Sequence, residues 1–288
     1  GQIMVSEVVR LLAGNRGGHE LHSVGELSLR GLPEPLPASE VRWHPAQAVA
    51  TSLPGPLRLA EGELPFSGRA GAVAVLKQAW AAAGRAEPQL VMVAGEPGVG
   101  KTRLVAEFAR AVHASGAIVL LGRADEHVDA PYGPWREALK RAVASLPDEL
   151  LRAHVAQFGG EVARLVPDLA RRIPVLPAPA ASDPETERLL LFEAVAGLLI
   201  VASGEAPVLL VLDDVHWADE SSLLLLLHLL RGGVPAELAV VATYRDTDVD
   251  RVHPLAGVLA DLRRVRGATR RALDGLGAEG VCHLLTAA

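Results

Sequence analysis

The feature that most constrains this chain is the octapeptide Gly95-Glu96-Pro97-Gly98-Val99-Gly100-Lys101-Thr102, which follows the apolar run Leu90–Ala94 and opens a segment of helical periodicity. It fits the pattern G-x-x-x-x-G-K-[ST], in the strand-then-helix context that pattern requires. Its glycines let the backbone curl so that N–H groups point inward at phosphate oxygens, and the helix N-terminus adds partial positive charge. Lysine is scarce here, with only Lys77, Lys101 and Lys140 among 28 basic residues. At these residue frequencies a chance match anywhere in the chain is expected at about 0.002. In a chain that otherwise writes positive charge as arginine, Lys101 stands where a compact ammonium is needed between two phosphates. Lys101 is therefore expected at the β- and γ-phosphates and Thr102 on Mg²⁺, with Arg103 as the last binding candidate of the loop.

A phosphate loop needs a carboxylate delivered from the end of a parallel strand. Val208–Leu212 supplies five apolar residues and then Asp213 and Asp214. Asp213 is expected to hold Mg²⁺ through water, and Asp214 to polarise an attacking water. A further strand, 238–243, ends in Thr243-Tyr244-Arg245. With one strand inserted between the two motif strands, Thr243 or Arg245 comes near the terminal phosphate and can sense it. His19, His22 and His216 do not complete a tetrahedral metal site with any Cys/His cluster.

Between Phe66 and Leu273 helical and apolar extended segments alternate: helix 69–83, strand 90–94, helix 101–115, strand 117–121, a long helical stretch 134–170, helix 185–203, strand 208–212, helix 219–231, strand 238–243, helix 254–265 and strand 269–273. Such alternation predicts an α/β fold, a parallel sheet with helices on both faces. Residues 1–43 read as strands and one helix, the helix capped by Ser6 and ended by Gly14, of a small α+β piece. Residues 44–64 carry prolines and glycines without sustained periodicity and are expected to be a linker. The P-loop domain then spans 65–275, and 276–288 begins a new helix.

Composition narrows the function classes. A net charge of −6 with no basic block argues against direct nucleic-acid contact by this segment. The longest apolar runs, Ala194–Ser203 and Leu223–Leu227, are shorter than the roughly 20 residues a membrane span needs. Cys282 alone forms no internal disulfide, which fits a reducing cytoplasm. The opening Gly1-Gln2-Ile3-Met4 is neither an initiator methionine nor a signal peptide, so a fragment of a longer polypeptide is expected.

From Phe66 onward the chain resembles the STAND class of P-loop ATPases, AAA-like proteins of the ASCE division, and especially bacterial multidomain regulators. The matching stretches are Pro65-Phe66-Ser67-Gly68-Arg69, the phosphate loop, Gly122-Arg123 with Ala130-Pro131-Tyr132-Gly133-Pro134, Leu212-Asp213-Asp214-Val215-His216-Trp217-Ala218-Asp219, and Ala242-Thr243-Tyr244-Arg245-Asp246-Thr247. The resemblance implies that Gly68-Arg69 lies near the adenine and that Arg245 contacts the γ-phosphate. It departs at Ala70-Gly71-Ala72, where that family usually carries glutamates. Residues 1–43 resemble the C-terminal end of a class III adenylate/guanylate cyclase domain, on Gly1-Gln2-Ile3-Met4-Val5-Ser6 and Leu27-Ser28-Leu29-Arg30-Gly31-Leu32-Pro33-Glu34-Pro35. The cyclase parts that carry metal-binding aspartates precede such a region, so no cyclase activity is expected of this chain.

Together the resemblances imply a cytoplasmic signalling switch that binds ATP with Mg²⁺ and hydrolyses it slowly to ADP. It would act on downstream lid and output domains of the same polypeptide, such as a LuxR-type helix-turn-helix, with self-oligomerisation left open. The alternatives are a non-hydrolysing nucleotide-binding scaffold, the regulatory part of a nucleotide cyclase, and an AAA-type remodelling motor.

Overall fold

The computed structural model describes residues 3–6, 9, 20–27, 35–42, 52–58, 66–127, 130–232 and 234–287. The chain divides into two compact units, Gly1–Gln47 and Ala48–Ala288. The first holds an antiparallel sheet of β1 (Ile3–Ser6), β2 (Glu20–Leu27) and β3 (Leu36–Arg42), in the order β1-β3-β2. The register of β2 on β3 shifts between Ser23 and Gly25, where Gly25 has φ 83°. The helix expected between Ser6 and Gly14, and the final strand residue Trp43, lie outside the described residues.

The second unit is built on a parallel sheet of β4 (Gln89–Ala94), β5 (Ile118–Arg123), β6 (Val208–Asp213), β7 (Leu238–Tyr244) and β8 (Ala268–Ala272), in the order β5-β6-β7-β4-β8. Strands β4 to β7 are apolar on both faces because both are covered, whereas the edge strand β8, Ala268-Thr269-Arg270-Arg271-Ala272, is mostly exposed. On one face Leu90, Met92, Leu120, Leu210 and Val240 meet α3 (Gly133–Ser145), α4 (Asp148–Phe158), α6 (Pro184–Glu205), α7 (Glu220–Arg231) and α8 (Pro254–Leu262). On the other, Val91, Val93, Val119, Leu209 and Val241 meet α1 (Ala70–Ala83) and α2 (Lys101–Ala114). The alternation of residue numbers between the two cores is the period of two of a pleated strand.

Two boundaries differ from the sequence reading. The stretch 134–170 is not one long helix: α3 ends where Leu146 turns extended before Pro147, and α4 ends at Gly159 with φ 67°, followed by a 3₁₀ turn Glu161–Arg164 and the short α5 (Leu169–Arg172). Proline disfavours a helical conformation in the residue before it and itself starts the next helix. Nor is all of 44–64 a linker. A 3₁₀ turn at Gly55–Leu57 puts Leu53 and Leu57 into the core beside α2, with the turn held by Arg58 Nε donating to the Leu53 carbonyl at 2.8 Å. Among the described residues no helix is long and apolar enough to cross a membrane.

Candidate functional site

The C-terminal ends of β4, β6 and β7 open on one edge of the sheet, as parallel pairing requires, and the candidate residues follow directly from those ends. After β4 the loop turns through Gly95, Gly98 and Gly100 with φ of 156°, 76° and 96°, conformations open to glycine and costly for other residues. A Cβ on Gly95 would also stand 2.6 Å from the Leu273 carbonyl oxygen. Glu96 and Pro97 are exposed, and Val99 lies against the core of the P-loop face.

Lys101 starts α2 and is only 7% exposed, whereas Lys77 and Lys140 are on the surface. Its Nζ donates to the carbonyls of Gly95 at 2.8 Å and Glu96 at 3.0 Å, inside its own loop. Burial pushes its pKa down, and the Asp214 carboxylate partly opposes this. Thr102 is exposed at the first turn of α2. The Arg103 side chain runs along α2 to Glu107, 2.9 Å away.

Asp213 ends β6 and is buried, accepting from Thr243 Oγ1 at 2.6 Å and from Arg123 Nη2 at 3.1 Å. The Thr243 hydroxyl also accepts from the Asp214 backbone N–H at 2.9 Å. Its proton is thus spent on Asp213, so Thr243 orients both aspartates and has no donor left for a phosphate. Asp214 sits at φ 56°, and burial, reinforced by the neighbouring Asp213 charge, raises its pKa. Arg245 follows β7. It pairs with Asp248, 3.5 Å away, and its charge acts on Lys101 and Asp214.

Gly68 and Arg69 precede α1 on the other side of the loop. Arg69 donates to the Val99 carbonyl at 2.6 Å and to the Asp274 carbonyl at 2.5 Å, tying the loop to the end of the domain. A Cβ on Gly68 would come 2.8 Å from the Leu276 side chain, so the chain before α9 (Ala278–Ala287) packs against this edge.

Several stretches singled out in the sequence have structural work. Asp219 caps α7, accepting from Ser222 N at 3.0 Å, and also accepts from Tyr132 N at 3.0 Å. Trp135 is fully buried with its indole N–H on the Ser222 carbonyl at 3.0 Å. Two charged groups at the site were assigned no role from sequence, Arg123 and Asp248. Arg123 carried a signal only in the Gly122-Arg123 stretch, because its pairing with a distant strand end leaves no local pattern. Asp248 carried none, because an acidic residue three positions after an arginine is too common to mark a site.

A phosphate loop and paired aspartates on a parallel sheet, with one strand inserted between their strands, define a P-loop nucleoside triphosphatase of the additional-strand type. The family model for the AAA ATPase domain matches residues 65–242, more than half of the chain, and the chain belongs to that family. Comparison with curated proteins gives no match. Among solved structures, the chain is similar to one from Drosophila ORC bound to DNA, at 11% identity and a TM-score of 0.33, over 70% of this chain and 93% of that one. It is also similar to one from Drosophila ORC bound to GC-rich DNA and Cdc6, at 12% and 0.34, over 76% and 63% respectively. A third, from Drosophila ORC bound to AT-rich DNA and Cdc6, gives 12% and 0.36, over 73% and 60%.

Proposed function

We propose that this AAA ATPase domain binds ATP with Mg²⁺ at the loop 95–102, reads the terminal phosphate with Arg245 and hydrolyses it slowly, serving as a nucleotide-dependent switch. The observation that carries the reading is the insertion of β7 between β4 and β6, which brings Lys101, Asp213, Asp214 and Arg245 to one sheet edge. The residues fit a magnesium-bound triphosphate. A loop with three positive-φ glycines can turn N–H groups toward a phosphate, and Lys101 places its protons on loop carbonyls that phosphate oxygens would replace. Thr102 and Asp213 are the oxygen donors for Mg²⁺, a hard cation that keeps several of its waters. When bound, Mg²⁺ neutralises charge developing on the β- and γ-phosphate oxygens. Asp214, held neither by Arg123 nor by the Thr243 proton, accepts the proton of the attacking water, and its raised pKa makes it a better base than an ordinary carboxylate.

The wider role as the core of a multidomain transcriptional regulator in the cytoplasm rests on the STAND-like stretches, and that of a cyclase tail in residues 1–43 on the sequence there. In that reading Leu276 and α9 begin a lid, and the nucleotide state is passed to downstream domains.

Lys101→Ala tests the reading. It is expected to weaken binding of a fluorescent ATP analogue by at least about 100-fold, from loss of a buried charge between two phosphates; unchanged affinity would remove the assignment. Asp214→Asn separates the switch from the non-hydrolysing scaffold: it should retain binding and lose phosphate release, whereas equal release in both proteins favours the scaffold.

A further inference from the structure

The segment after β7 carries a charged arrangement that the proposed reaction does not use. Arg245 leads into a single 3₁₀ turn, Asp246–Asp248, which swings the Asp248 carboxylate back over the Arg245 side chain. Asp248 Oδ2 lies 3.5 Å from Arg245 Nη1 and also 3.5 Å from His216 Nε2. The His216 side chain is wholly buried, and neither ring nitrogen has a hydrogen-bond partner among the described residues.

Arg245 and His216 therefore both face the Asp248 carboxylate, while Lys101 beside them is acted on by Asp214 and by Arg245. Lys101 and Arg245 repel each other, and both act on His216. Left alone, Arg245, about a third exposed, would turn to water and away from Lys101. Asp248 opposes that by engaging one nitrogen, while Nε and Nη2 keep donors with no protein partner among the described residues. A guanidinium is a rigid fork, so fixing one nitrogen aims the others. His216 walls the carboxylate on its buried side, and burial, then Arg245, pushes its pKa down to about 4, so it adds no third positive charge.

We propose that Asp248 is the positioning residue of the nucleotide sensor, holding the Arg245 guanidinium in place by one nitrogen while its remaining donors await the terminal phosphate, with His216 as the wall behind Asp248. This rests on reading Arg245 as the group that senses that phosphate. ATP recruits Arg245 and ADP does not, so Asp248 sets the preference of the site for ATP over ADP without contributing to affinity for ADP.

The test is equilibrium binding of a fluorescent non-hydrolysable ATP analogue and of fluorescent ADP, each with Mg²⁺, to the full chain. Arg245→Ala should lower the ATP/ADP affinity ratio by roughly tenfold or more, the scale of one charge-assisted phosphate contact. Asp248→Asn, isosteric and partly exposed, should lower the ratio by roughly fivefold with ADP affinity unchanged, and should cause no further loss in the Arg245→Ala background. His216→Phe, which keeps a ring and removes both nitrogens, should lower the ratio in the same direction. If Arg245→Ala lowers the ratio while Asp248→Asn keeps or raises it, or if the two losses add, the positioning role is wrong and the sensor reading stands. A ratio unmoved by Arg245→Ala overturns both.

Discussion

Burial, and behind it the Arg245 guanidinium, holds the His216 imidazole near a pKa of about 4, against 6.5 for the free side chain. Between those two values the unfolded chain binds a proton that the folded chain refuses. Stability therefore falls as pH drops through about 6.5, continues to fall to about 4, and levels off below that. His154, buried with its Nε2 at 2.8 Å from the Ala194 carbonyl oxygen, is shifted down as well and acts in the same direction. Urea midpoints measured from pH 7.5 to 4 should thus decline in the parent chain and decline less in His216→Phe. Equal declines would mean that the folded protein accommodates a protonated His216. Neither the burial of His216 nor its neighbours was legible in the sequence, where it stood as a metal-ligand candidate set aside and as one residue of the Leu212–Asp219 stretch. Lys101 and the Asp213–Asp214 pair were legible as positions because local spelling and spacing mark them. Arg123 was not, since it acquires its partner Asp213, 90 residues away, only when strand ends meet. Asp248 was not, since an acidic residue three positions after an arginine is no motif and its second neighbour, His216, reaches it from another strand end.

The junction of β5 with α3 shows how one element is seated on another. A Cβ on Gly122 would stand 1.8 Å from the Pro134 carbonyl oxygen. The first turn of α3 therefore lies directly on the strand backbone, and this seats Trp135 in the core. Gly122→Ala must push backbone against backbone, for which a loss of about 3 kcal/mol is expected, read as a lower urea midpoint with an unchanged slope. A loss below about 0.5 kcal/mol would show that α3 can lift off without cost. The elements themselves were largely legible. Each of the five parallel strands falls within two residues of its expected range; for β4 to β7 this is because buried strands read as continuous apolar runs, whereas β8 is polar and mostly exposed. The stretch 134–170 was misread because helical periodicity persists across Pro147 and Gly159: α3 and α4 present apolar faces to the same core, so the pattern does not register the break.

Over the whole molecule, the sequence pattern located the AAA ATPase core but not where that core begins. Residues 44–64 lack periodicity, since a 3₁₀ turn of three residues is too short to display one. Yet Leu57 is 1% exposed and Leu53 8%, both packed in the core that also holds Val105, Phe108 and Val112 of α2. The Arg141 guanidinium reaches across to the Ser52 carbonyl. The strap matters beyond stability, because α2 begins at Lys101 and its N-terminus faces the loop. Two truncated proteins that both lack the first unit isolate its effect, one starting at residue 48 and the other at residue 59. Each buried leucine contributes about 2 kcal/mol by area, and part of that is recovered as side chains relax into the vacated groove. The shorter protein is therefore expected to be less stable by about 3 kcal/mol in urea denaturation, and to bind a fluorescent ATP analogue more weakly as α2 loosens. Matching stabilities would make 52–58 a linker after all. Lower stability with intact affinity would mean that the groove it fills is independent of the phosphate loop.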